Sequence, residues 1–401
     1  MKPSKIVLFT VTFPFEGENF LSYELPFLCH KFEHVTIVVL KKKQKKINFD
    51  IPDNCSVTFL PRTIGIKNFR HLFSSFLFIE LYYFLRAKGS KTLKKFIYRL
   101  FVGLRVKTII EKKYSGNDYI LYSYWMNGAA LGIALSNTSE EKIKICRAHG
   151  SDVYNENIKS GLNPFQNYII CNLTRCYTIS VHGKEYLEKL YSPKLNEISV
   201  SYLGVPTVKN IDFHNEKKNV DVKVVISCSV VDSNKRVSDI FHSLNELDQK
   251  IIWIHFGSGP LLSDLKKEVF FKRRKGLKVL LTGYKSTSQI HDFYKMYNSR
   301  VNLFVNYSLF EGIPVSIMEA MSYGIPCLAT DVGGTQEIIT RHNGMLIDAN
   351  PDKVKLSEAV KIALKSFDNK QNSRNFAMCT VREKFNAQDN FSNFVESLYN
   401  I

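Results

Sequence analysis

Short runs of apolar residues recur along the chain and alternate with segments whose apolar positions fall three and four apart. IVLFTV (6–11) predicts a first strand, and ENFLSYELPFLCHKF (18–32) predicts a helix after it. TIVVL, YILYSY, IKICRA and CYTIS predict further strands with helical segments between them. The pattern restarts with VKVVISCS (222–229), IIWIHFG (251–257), LKVLL (277–281), VNLFV (301–305) and IPCLAT (325–330). Strands this continuously apolar belong in parallel sheets covered by helices on both faces. Two such series predict an α/β protein of two doubly wound, Rossmann-like domains facing a central cleft.

The periodicity also predicts where the domains divide. GVPTVKNIDFHNEKKNVD (204–221) is polar, carries Gly204 and Pro206, and has no repeat of apolar positions. The first domain is therefore expected over 1–205, a linker over 206–221 and the second domain over 222–384. FNAQDNFSNFVESLY (385–399) places Phe391, Phe394, Val395 and Leu398 at helical spacing, so 385–401 should end in a helix.

Composition changes this picture little. A chain of 401 residues, 45% hydrophobic and 23% charged, has the length for two cores and the make-up of a globular protein. Charge adds more. The net balance is +18, and residues 1–205 hold 29 Lys+Arg against 16 Asp+Glu, while the remainder holds 26 against 21. The first half is thus the candidate for an anionic partner: lipid head groups, a phosphorylated acceptor or nucleic acid. No zinc-finger spacing or RNP-like aromatic motif accompanies the charge, so nucleic acid is not expected.

Eight scattered cysteines without a C-x-x-C pair read as small buried residues in a reducing cytoplasm. The N-terminal run has two lysines and an apolar stretch, but Thr10, Thr12 and Pro14 break it, and it reads as a strand, not a signal peptide. LFSSFLFIELYYFL (72–85) is interrupted by Ser74, Ser75 and Glu80 and falls short of the ~20 residues of a membrane span.

The chemistry concentrates in SLFEGIPVSIMEAMSYGIPCLATDVGG (308–334). It leaves a predicted strand, and Pro314 suits the first turn of a helix, where its missing N–H has no partner to lose. Ile317, Met318 and Met321 supply an apolar helical face, and Gly324 suits the helix end, where φ is often positive. Strand, loop and helix N-terminus together make an anion site of backbone amides and helix dipole. Glu311 and Glu319 would repel a pyrophosphate, so they are expected to face away from it, onto sugar hydroxyls.

This segment resembles glycosyltransferase family 4, the retaining, nucleotide-sugar-dependent enzymes of the GT-B fold. Glu311 and Glu319 match that family's E-x7-E element, and EGIP, EAM, YGIP and DVGG match around them. The resemblance implies that Glu311 meets the donor hexose and Glu319 the ribose. It also implies that Lys235, in SCSVVDSNKRV (227–237), binds the donor diphosphate. The arginine usual five residues earlier falls on Val230, with Arg236 as the candidate replacement. FGSGP (256–260) lies near the nucleotide in the family, which gives Gly257 and Gly259 a role as well as the plain reading of a tight turn. RAHGSDVY (147–154) matches a first-domain histidine motif, with His149 donating to the donor sugar or acceptor and Asp152 orienting it. FPFEGENFLSYE (13–24) resembles the E-x-F…E pattern of polysaccharide-assembling members, with Gly17, Glu18 and Glu24 near the diphosphate or acceptor. The last helix of such enzymes commonly crosses back to the first domain.

No D-x-D triplet occurs, so no metal clamp and no cofactor are expected, the nucleotide sugar being a substrate. Charge on the leaving diphosphate would be met by Lys235 and by backbone amides of Gly312, Ile313 and the turn at Pro314. The resemblance implies a saccharide acceptor, often lipid-linked, used in cell-surface polysaccharide synthesis. With KKKQKK (41–46) and the aromatic stretch 72–85, it also implies peripheral contact with an anionic membrane at its cytoplasmic face. Two other classes fit a doubly wound chain: a non-catalytic nucleotide-sugar-binding protein and a dinucleotide-dependent oxidoreductase. The second lacks a G-x-G-x-x-G after any predicted strand.

Overall fold

The computed structural model describes residues 3–13, 19–41, 50–61, 75–86, 90–116, 118–139, 141–156, 161–191, 198–208, 221–350, 352–367 and 371–401. The chain divides into two compact units, one of 1–203 with 389–401 and one of 204–388.

The first unit holds a seven-stranded parallel sheet: β1 (Lys5–Thr10), β2 (His34–Val39), β3 (Cys55–Phe59), β4 (Tyr119–Ser123), β5 (Lys144–Ala148), β6 (Arg175–Thr178) and β7 (Ile198–Val200), in the order β3-β2-β1-β4-β5-β6-β7. β1 shows why its sequence is apolar throughout. Val7 and Phe9 enter one core, with the helices Ser90–Lys113 and Gly128–Leu135. Ile6 and Leu8 enter a second core, with Leu21, Leu25 and Leu28 of the helix Asn19–Lys31. Alternate residues of one strand thus face opposite layers, and both are covered. Phe394, Val395 and Leu398 of the helix Ala387–Tyr399 complete this second core.

The second unit holds a six-stranded parallel sheet: β8 (Val222–Cys228), β9 (Lys250–Phe256), β10 (Leu277–Leu281), β11 (Leu303–Asn306), β12 (Cys327–Thr330) and β13 (Gly344–Ile347), in the order β10-β9-β8-β11-β12-β13. The largest fully buried side chain among its described residues is Trp253, packed among Val225, Phe241 and Leu303.

The periodicity does not predict β3, β7 or β13. All three are sheet edges whose side chains are mostly part-exposed, although the fourth edge, β10, is predicted by LKVLL. The division also falls slightly earlier than the polar composition suggests. Gly204 and Val205 belong to the second unit, because the Val205 N–H donates to the Phe385 carbonyl and the Ala387 N–H to the Val205 carbonyl. Residues 209–220 of the expected linker lie outside the described residues.

Candidate functional site

In the second sheet the winding runs outward from β8 through β9 to β10, and outward the other way from β11 to β13. The carboxyl ends of β8 and β11 therefore flank the point where strand order reverses, the usual ligand crevice of an open parallel sheet. Lys235 follows β8 and Glu311 follows β11, and the fold brings them together. Lys235 Nζ donates to Glu311 Oε1 at 2.6 Å. Both side chains keep some exposure, 23% and 11%, so the pair stays within reach of a ligand.

Polar residues at the strand end hold the glutamate. Asn306 Nδ2 donates to Glu311 Oε1 at 3.3 Å, and Ser308 Oγ lies 2.7 Å from the same oxygen. Asn306 Oδ1 accepts from the Ser308 N–H at 3.0 Å, which tightens the turn. Asn234, beside Lys235, brackets Phe310: Oδ1 accepts from its N–H at 3.1 Å and Nδ2 donates to its carbonyl at 3.3 Å. Asn234, Asn306 and Ser308 are absent from the residues that sequence reasoning singles out. Their signal is polarity at the tips of otherwise buried strands.

Behind the glutamate, Gly333 sits at φ +54°, and a Cβ there would lie 1.9 Å from the Glu311 carbonyl oxygen. Only glycine lets these two loops approach so closely. The Gly334 N–H donates to the Gly312 carbonyl at 2.9 Å, so the segments around Glu311 and DVGG form one layer.

The helix expected after Ile313 runs Val315–Ser322. Pro314 is its N-cap, with φ −79° and ψ 96°, not a residue of the first turn; its extended backbone starts the helix without a side-chain cap. The amides of that end are left for other partners. Glu319 is buried in the helix, with Oε1 3.9 Å from His291 Nε2, while His291 Nδ1 lies 3.1 Å from the Tyr323 hydroxyl.

Other expected residues have partners within the fold. Arg236, the candidate for the missing arginine, turns two guanidinium nitrogens onto backbone carbonyls. It adopts φ +47° and spends its guanidinium on the carbonyls of Tyr307, at 2.6 Å, and Ala349, at 2.9 Å. Val230 is 53% exposed. Gly257 and Gly259 are required by packing: a Cβ would lie 1.8 Å from the Ser229 carbonyl oxygen in one case and 2.4 Å from that of Val231 in the other.

In the first unit, His149 ends β5 and is buried against Trp125, with ring centroids 4.2 Å apart. Burial, helped by Arg147, pulls its imidazole down to about 3, so it is neutral near pH 7. Its Nε2 lies 3.0 Å from the Tyr124 carbonyl, an acceptor only, so Nε2 carries the single proton. Nδ1 can then accept but not donate, which reverses the expected role toward a hydroxyl. The Asp152 carboxylate bonds backbone N–H groups and not the ring. Its Oδ1 accepts from the His149 backbone N–H at 2.6 Å and its Oδ2 from the Met126 N–H at 2.7 Å, tying together the loops after β5 and β4.

Glu24 is likewise corrected. It is fully buried on the helix Asn19–Lys31, 3.3 Å from Arg147 Nη2, and accepts from the Tyr122 hydroxyl at 2.9 Å. The Arg147 guanidinium lies 4.1 Å over the Phe394 ring. Glu24 is therefore the acid of an internal ion pair. Gly17 and Glu18 lie outside the described residues.

Residues 208–377 match the family model described as glycosyl transferases group 1. A curated relative, the Escherichia coli UDP-Gal:alpha-D-GlcNAc-diphosphoundecaprenol alpha-1,3-galactosyltransferase, is 30% identical over 107 residues, 26% of this chain. The match spans about a quarter of that relative's own length, 26%. Among solved structures, the lipopolysaccharide outer core galactosyltransferase WaaB superposes with a TM-score of 0.68 at 16% identity, over 99% of both chains. Anabaena HepE in complex with UDP and glucose superposes with a TM-score of 0.67 at 13% identity, over 99% of this chain and 100% of that one. Residues 208–377 thus match glycosyl transferases group 1, and the two parallel-sheet units have the fold of GT-B glycosyltransferases.

Proposed function

We propose that this chain is a retaining glycosyltransferase of family 4 that moves a sugar from a nucleotide-sugar donor to a saccharide acceptor in bacterial polysaccharide synthesis. The observation that carries this reading is the Lys235–Glu311 pair at the reversal of strand order, beside an uncapped helix N-terminus. In this reading the amides of Gly312 and Ile313, the helix end at Pro314 and Lys235 receive the diphosphate, and Glu311 accepts from hydroxyls of the donor hexose. Glu319 serves the ribose. The bond from the anomeric carbon to the diphosphate breaks as the acceptor oxygen bonds on the same face, and the acceptor proton passes to the leaving phosphate. Lys235 and the helix end stabilise the charge that develops there.

UDP is the nucleotide the proposal favours, since the E. coli relative is named for a UDP-sugar and HepE was solved with UDP. That relative's diphosphoundecaprenol acceptor supports a lipid-linked acceptor here. Among the described residues no helix is long and apolar enough to cross a membrane. The proposal also includes peripheral contact by the first unit, where Phe78, Tyr82 and Leu85 stand exposed at helical spacing on Ser75–Arg86.

A thermal-shift series with UDP, GDP, ADP and CMP tests the donor site, because a bound ligand raises apparent stability by RT ln(1 + [L]/Kd). UDP should give the largest shift, and a UDP-hexose should turn over with a diphosphoundecaprenyl saccharide. A shift with NAD(P) and none with any of the four nucleotides would overturn the reading. Binding of a UDP-sugar without turnover on any saccharide acceptor would reduce the chain to a nucleotide-sugar-binding protein.

A further inference from the structure

The carboxyl end of the helix Leu262–Lys272 carries the two most exposed large apolar side chains among the described residues, Phe270 at 81% and Phe271 at 78%. Their rings meet edge to face at 5.0 Å. The helix is already anchored: Leu265 is buried, and Leu262 and Val269 pack on the core of the second unit. At about 100° per residue those three share one face, and the two phenylalanines project from the remainder. Lys266 and Lys267 lie one turn before them and are exposed.

The surroundings are basic. From Asp264 to Lys278 the chain has seven Lys+Arg against two acids, Asp264 and Glu268. Both acids are engaged, Asp264 3.7 Å from Lys267 and Glu268 3.4 Å from Lys272. An open groove of about 550 Å³ adjoins this end of the unit, lined by Lys250, Arg274, Lys275 and Lys278 with Asp248 as its acid. Exposed aromatic rings beside long cationic side chains fit the boundary between acyl chains and anionic head groups. A symmetric pairing of two copies through this face would set the basic clusters against each other, which disfavours a second copy.

We propose that this corner of the second unit docks on an anionic bilayer, with Phe270 and Phe271 entering the interface and the surrounding lysines meeting lipid phosphates. The surface is separate from the first-unit contact proposed above and does not depend on the sugar-transfer chemistry.

The test uses the full chain carrying Phe270→Trp and large vesicles of 70% phosphatidylcholine and 30% phosphatidylglycerol at low salt. Tryptophan emission should shift to the blue beyond any change in the unsubstituted chain, which has Trp125 and Trp253 as background. Phe270→Ser with Phe271→Ser should lower partitioning roughly tenfold at unchanged melting temperature. Raised salt should weaken both signals. Turnover on a soluble acceptor should stay unchanged in the double variant, which separates this proposal from the transferase reading. No blue shift, equal partitioning of the double variant, or equal binding to pure phosphatidylcholine would overturn it. So would a concentration-dependent dimer that the double variant abolishes, since a second copy would then cover the face.

Discussion

Lys235 Nζ and Glu311 Oε1 lie 2.6 Å apart although 76 positions separate the residues in the chain. The two loops that carry them leave neighbouring strands, β8 and β11. Glu311→Gln keeps the size of the side chain and removes its charge. Turnover should fall by ~10²-fold or more with the fold intact, a loss of the size expected for one group acting on the reacting centre. Lys235→Ala should cost ~3 kcal/mol in kcat/KM and weaken nucleoside diphosphate binding by calorimetry. Unchanged diphosphate affinity in Lys235→Ala would remove the phosphate role.

Gly333→Ala tests the layer behind Glu311. The new Cβ would meet the Glu311 carbonyl oxygen at 1.9 Å, at a φ of +54° that side chains rarely adopt. The Glu311 loop must move, so donor affinity should drop by roughly tenfold or more, with a lower melting temperature. A variant with wild-type affinity and an unshifted loop would show that the contact is soft.

His149 and Asp152 should impose opposite pH dependences on stability. Burial pushes the Asp152 carboxyl up to about 7, so the stability it contributes is present below its ordinary value near 4 and is lost as pH rises toward 7. Burial pulls His149 down to about 3, so its contribution is present above 6.5 and is lost as pH falls toward 3. Between about pH 4 and 6.5 the two slopes, each at most ~1.4 kcal/mol per pH unit, oppose and largely cancel. Asp152→Asn should therefore leave stability rising with pH in that window, and His149→Asn should leave it falling. Urea unfolding at several pH values reads both slopes, and parallel profiles for the two variants would refute the pairing.

Glu24 and Arg147 form a fully buried ion pair, and burial pushes the Glu24 carboxyl up. Arg147→Met leaves that acid without its partner and should cost about 3–5 kcal/mol of stability. Adding Glu24→Leu should recover much of the loss, because an apolar pair needs no compensation for desolvation. Chemical denaturation of the single and double variants measures the difference. Equal losses in both would mean that packing against Phe394, not charge, dominates.

Much of the fold is legible in periodicity because central parallel strands are buried on both faces. Ile6 to Phe9 have to be apolar in succession, since successive side chains enter different cores. The helix Val315–Ser322 and its glycine stop are legible for a similar local reason: Gly324 adopts φ +69° directly after the helix. The edge strands β3, β7 and β13, short and largely part-exposed, are not legible, whereas the edge strand β10 is, through its run LKVLL.

The sequence by itself determined the alternation of strands and helices, the restart that makes two units, and the run 308–334 that carries the family resemblance. Each of these depends on neighbours within a few turns of chain. Only the tertiary structure decided which charges meet. It set Lys235 on Glu311, buried Glu24 on Arg147, turned Arg236 onto backbone carbonyls and gave Asp152 to backbone amides. Those outcomes follow from strand order, which places distant loops side by side, and from burial, which charges a desolvation cost to any ionised group without a partner. Neither strand order nor depth is written in local spacing, so Glu24 and Glu311 look equally suited to a ligand until the fold puts one inside a core and the other at the mouth of a crevice.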